Sequence, residues 1–187
     1  MKRKNIIATI LSVLLIGTAT VSSAQNKSLV TPFRKGTVTA NLGVGVGTNY
    51  NNSSNAFGTK AALEFGIWKA GPGVVSLGAE VGGTFSTKSD YAFRNDFRSR
   101  TIVVAGRSAW HYGWKVSRLD TYAGFAAGAG FRHYDYNNGN HYVNDDVIPV
   151  FGGFAGASYF FTPSFGVNVE AGYDITSLQA GVVFKLR

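Results

Sequence analysis

The sequence has no cysteine. That excludes a disulfide framework and every metal site built on thiolates. Beyond residue 16, no apolar run approaches the ~20 residues that a membrane-spanning helix needs, so a helical membrane protein is excluded. Leu, Lys and Glu are sparse after residue 24, and no stretch carries the pattern of a soluble helix. The basic residues are scattered instead of gathered on one face, which removes the nucleic-acid-binding class.

What the chain does have begins at its N-terminus. Lys2, Arg3 and Lys4 precede an apolar run from Ile6 to Ile16, broken by Thr9 and Ser12. Ser22-Ser23-Ala24 then offers small residues for cleavage. This is the layout of a secretory signal peptide, and it predicts a leader over 1–24. Removing its three cations lowers the formal charge from +8 to +5. Residues 25–35 read as a short polar tail on the periplasmic side. Residues 36–187 read as one domain.

That domain holds most of the 24 glycines. "GTVTANLGVGVGTNY", 36–50, contains Gly43, Gly45 and Gly47, which a motif search could take for a phosphate loop. A dinucleotide fingerprint needs G-x-G-x-x-G followed by a helix. Here Thr48 and an Asn- and Ser-rich stretch follow. The glycines recur at every second position, the pleat period of a strand. Val38, Ala40, Leu42, Val44 and Val46 fill the opposite face.

The same alternation recurs near 60–67, 75–85, 101–111, 122–132, 165–173 and 178–186. A less regular strand runs from about 148 to 161, where Pro149 and Gly152-Gly153 blur the faces. The total is eight. Residues 48–56, 88–99 and 135–146 read as long polar loops. Residues 70–73, 113–118 and 162–164 read as short turns. Only the connection at 174–177 breaks this alternation of long and short. Short turns on one rim and long loops on the other form the arrangement of an antiparallel up-and-down transmembrane β-barrel.

Composition decides which face looks outward. A soluble barrel puts its polar face in water. Here that face is mostly Gly, Ala, Ser and Thr, with seven charges: Lys60, Glu64, Glu80, Arg107, Arg132, Glu170 and Lys185. This suits a narrow lumen that has room only for side chains. Buried charges need partners, so the seven are expected to pair as an internal plug. Aromatics gather at strand ends, as at membrane interfaces: Trp110, Tyr112, Trp114, Tyr159, Phe161 and Phe165 by the short turns, Tyr173 at the other rim. Trp68 fits badly, having the parity of Glu64.

With this signal, these Gly-rich strands, "FGVNVEAGYD" and the closing "LQAGVVFKLR", the chain resembles the small eight-stranded outer-membrane barrels of Gram-negative bacteria, the OmpA/OmpX-like and OmpW-like group. The resemblance implies an integral outer-membrane protein, bound by outer-membrane lipid and lipopolysaccharide, inserted by the barrel-insertion machinery, monomeric, and without cofactor. Some barrels of this size are lipid A-modifying enzymes that use His with Ser, Glu or Asp near the outer rim. Of the three histidines, His111 lies by a periplasmic turn and His141 lies in a loop. His133 has Asp135 beside it but no serine at strand spacing, so no catalytic residue is assigned.

Asp145 and Asp146 do not fit a calcium-loop pattern, so no metal site is assigned. Lys88, Arg94, Arg98 and Arg100 lie among aromatics at the outer rim and are candidates for lipopolysaccharide phosphates. The expected role is structural, or surface interaction through long loops. The alternatives are a narrow channel for small or apolar solutes, as in the OmpW-like group, and a lipid A-modifying enzyme.

Overall fold

A computed structural model describes residues 32–48, 56–90, 95–137 and 141–187, with side chains outside 87–90, 95–98, 135–137 and 141–144. The leader over 1–24 and most of the tail lie outside the described residues. Among the described residues there is no helix. The strands are β1 (Val38–Val46), β2 (Phe57–Ala70), β3 (Gly73–Asp90), β4 (Asn95–Tyr112), β5 (Leu119–Asn137), β6 (His141–Phe160), β7 (Phe165–Gly172) and β8 (Leu178–Lys185). Each pairs antiparallel with the next, and β1 pairs with β8 to close the barrel.

Period 2 governs both faces. Leu42, Val44, Phe65, Ile102, Phe125 and Val169 point outward and are exposed, while Thr39, Asn41, Lys60, Glu64 and Arg107 point inward and are buried. The stagger follows from the pairing. Directly opposite residues run from Ala155 through Ala171, Leu178, Val46, Phe57, Phe85, Arg100 and His133 to Asp145, which lies ten residues along β6 from the start. Such a stagger tilts the strands, and eight of them enclose a space just wide enough for side chains to fill.

Several details depart from the sequence reading. The expected polar loops at 88–99 and 135–146 are largely strand: β3 and β4 stay paired to Asp90↔Asn95, and β5 and β6 to Asn137↔His141. Polar residues do not oppose this, because ladder hydrogen bonds satisfy the backbone whatever the side chain. In β6, Val150, Phe154 and Ser158 point inward and Phe151 and Tyr159 outward, which resolves its register. Trp68 reaches the outer face through a bulge, since the register shifts between Gly66 and Trp68 and both Ile67 and Trp68 are exposed. One extra residue turns the following side chain to the other face.

The short turns are tightly built. Gly71 takes a left-handed φ of 59° between β2 and β3, where a side chain would be strained. After β4, Trp114 and Lys115 take φ of 48° and 59°. There the Trp114 indole donates to Thr121 Oγ1 at 2.7 Å, and that hydroxyl donates to the Tyr112 carbonyl at 2.7 Å.

Two connecting segments enter the barrel. The tail ends inside its lower mouth: Pro32 and Phe33 are buried, which a polar tail would not be. The Thr37 amide donates to the Arg34 carbonyl at 2.9 Å, and the Gly36 amide donates to the Gly66 carbonyl at 2.8 Å. At the upper end, the β7–β8 connection turns inward and buries Asp174, Ile175 and Thr176. Amides of Tyr173 and Ser177 bind the carbonyls of Gly153 and Gly47 at 2.8 and 3.4 Å.

Candidate functional site in the lumen

The lumen-facing parity of β2, β3, β4 and β7 brings Lys60, Glu64, Glu80, Arg107 and Glu170 into one cluster. Their cross-strand neighbours are small: Lys60 lies between Gly43 and Gly82, and Arg107 between Gly78 and Ala126. The space left by these neighbours lets the long side chains lie across the barrel.

Arg107 is the hub. Its Nε lies 3.0 Å from Glu64, its Nη1 2.9 Å from Glu80 and its Nη2 2.9 Å from Glu170. The planar fork of guanidinium donors suits this three-way use. Its far face lies 4.0 Å from the Phe154 ring centre, a cation–π distance. Lys60 forms the second node, pairing with Glu170, with Asp174 at 2.5 Å and with Glu80 at 3.8 Å. All are nearly inaccessible, so each ion's desolvation must be offset by these contacts.

A second cluster lies nearer the short turns. His111 Nδ1 is 2.8 Å from Asp120 and its Nε2 is 3.0 Å from Glu64. Phe33 stacks on the imidazole at 3.7 Å between centroids, and Tyr122 lies at 5.3 Å. Ser76 Oγ lies 3.1 Å from the same Nε2. Ser76, His111 and Asp120 thus have the spacing of an acyl-transfer triad. Their chemistry differs, because a serine nucleophile needs a nitrogen that accepts its proton. Here Glu64 faces Nε2, and the Ser76 hydroxyl donates to that carboxylate at 2.7 Å. The Ser76 proton is thus committed to Glu64 and not to the imidazole, and Ser76 has 0 % exposure.

Two of the seven expected lumen charges lie elsewhere. Arg132 pairs with Asp146 at 3.0 Å towards the outer rim, with Tyr134 beside it. Its side chain is one-fifth exposed, unlike the nearly inaccessible Arg107. Lys185 stands at the lower mouth over the Phe160 ring at 4.9 Å. Besides His111, which the sequence placed only beside a periplasmic turn, Asp174, Asp120 and Phe33 join the clusters without having been expected there. Asp174 continues the inward parity of Asn168 and Glu170 beyond the end of β7. Asp120 likewise shares the parity of Tyr122. Phe33 carries no such signal.

Outside the barrel, the aromatics expected beside the short turns form a band. Trp110, Tyr112 and Trp114 follow one another at 5.5 and 4.9 Å, and Tyr159, Phe161, Phe165 and Phe184 at 5.7, 6.4 and 5.3 Å. Tyr173 is exposed at the opposite rim. His133 pairs with Asp145 at 2.6 Å, across the ladder and not along its own strand. Of the lipopolysaccharide candidates, Arg100 is exposed opposite His133. Arg94 lies outside the described residues, and the side chains of Lys88 and Arg98 are likewise not described.

The barrel aligns with Neisserial surface protein A over 80% of this chain and 96% of that one, at 14% identity and a TM-score of 0.50. The fold is that of the small eight-stranded outer-membrane barrels. A designed transmembrane β-barrel aligns over 82% of this chain and 98% of its own, at 21% identity and a TM-score of 0.49. Ail, the attachment invasion locus protein of Yersinia pestis, aligns over 81% and 95%, at 11% and 0.48. The sequence matches no family model and no curated protein.

Proposed function

We propose that the chain is a non-enzymatic integral outer-membrane barrel whose lumen is plugged by its own side chains. Its role is structural, or surface interaction through the tall hairpins of β3–β6. On this reading, the leader over 1–24 is removed during export. The barrel-insertion machinery places a monomer among phospholipid and lipopolysaccharide, and no cofactor takes part. One observation carries the reading: Phe33 lies at one end of the lumen, Ile175 at the other, and the Arg107–Lys60 ion-pair network lies between them. The exposed apolar belt supports the membrane setting, since water would penalise it and lipid does not.

Conductance in a planar bilayer tests the plug. Folded protein, verified by heat-modifiable gel mobility, is expected to show no discrete steps. Steps of constant size would overturn the plugged reading.

A second reading is a narrow passage for small solutes. It draws support from buried polar atoms without a hydrogen-bond partner, on Asn41, Thr84, Thr101, Tyr122, Asn168 and Gln179. Such groups are the ones that take water.

A further inference from the structure

The lower mouth carries a cavity of about 290 Å³ outside the lumen network. Four separate elements build it: the segment before β1, the β4–β5 turn, the β6–β7 turn and the end of β8. They bring Arg34, Arg118 and Lys185 to one space, and no carboxylate lines it. Among the described residues, none of the three makes an ion pair with a side-chain carboxylate. The one described acid near them, Asp120 beside Lys185, is engaged by His111 and does not line the space. Three like charges converging there repel one another, and an anion between them reverses the sign of that interaction.

The rest of the lining indicates which anion. Phe160, Phe161 and Pro163 make one side apolar. Phe161 also belongs to the outer aromatic band, 5.7 Å from Tyr159 and 6.4 Å from Phe165. Such bands mark the level of lipid headgroups. A ligand here has a negative head among cations and an apolar body running out over Phe161.

We propose that this cavity binds the phosphate group of an anionic phospholipid from the periplasmic leaflet. Arg34 and Arg118 supply forked donors suited to phosphate oxygens, and Lys185 adds a point charge. Because Arg34 follows Phe33, the bound lipid also holds the N-terminal segment in the mouth of the barrel. The proposal rests on the membrane reading above, which gel mobility and insertion check separately before lipid is added.

The probe is phosphatidylglycerol, one lipid in ten, in nanodiscs of phosphatidylcholine. Lipid retained on release is counted by native mass spectrometry. The wild type is expected to keep phosphatidylglycerol in preference to phosphatidylcholine. Taking about fivefold for each cation that faces the bound phosphate, Arg34→Gln/Arg118→Gln/Lys185→Gln is expected to lower retention on the order of a hundredfold. Lys69→Gln/Lys115→Gln removes two exposed cations of the same rim that do not line the cavity, and is expected to leave retention unchanged. Equal retention by the triple variant, equal loss in the control, or no preference between the two lipids would each overturn the site. Displacement of the lipid by millimolar inorganic phosphate would reassign it to a soluble phosphate and overturn the lipid source.

Discussion

Arg107 and Gly45 illustrate the two demands the lumen makes on single residues. Arg107 holds three carboxylates, so its loss leaves buried anions facing one another. Removing one partner of a buried ionic group costs ~3–5 kcal/mol. Arg107→Met is expected to lower unfolding free energy by that order in urea titration of the refolded barrel, and Glu80→Gln by less. Gly45 makes the opposite demand. A Cβ there would stand 2.7 Å from the Leu178 carbonyl oxygen and press on Thr176. Gly45→Leu is therefore expected to abolish heat-modifiable folding, whereas Val44→Leu, on the exposed outer face, leaves it intact. The inward charges of the strands were legible from parity alone. Asp120, the second residue of β5, and Asp174, beyond the end of β7, were legible in principle by extending the same parity. Phe33 was not, because its place is set by a stacking partner, His111, far away in sequence.

At the scale of elements, the strands were legible because one face meets lipid and the other a crowded lumen, which forces a two-residue period. Their upper ends were not. Along the paired extensions of β3 to β6, polar residues fall on both parities, so alternation gives no signal and the segments look like loops. The β7–β8 connection was obscure for a related reason: it has no period, and only its short length marked it as unusual. Its anchoring is nonetheless specific, with Ile175 fully buried under hydrogen bonds to Gly47 and Gly153. Truncating a buried isoleucine to alanine costs ~2–5 kcal/mol. Ile175→Ala is expected to cost about that much, while Ser177→Ala, in the same connection and more exposed, costs under ~1 kcal/mol. Parallel denaturant titrations would compare them.

For the molecule as a whole, the plugged reading depends on both ends at once. Phe33→Ala/Ile175→Gly removes one bulky side chain from each mouth and spares the ion pairs. Small, discrete conductance steps are expected from this variant and none from the wild type; silence from a folded double variant would place the barrier in the ion-pair network alone. The barrel also differs sharply in height around its circumference. β5 has 19 residues and β7 has 8, so the β5 side rises roughly 25 Å higher at ordinary strand rise and tilt. The protein therefore has a front and a back within the plane of the membrane. A neighbour drifting sideways meets a wall from one bearing and an open step from the other, and rotation about the membrane normal becomes a variable that decides which encounters succeed.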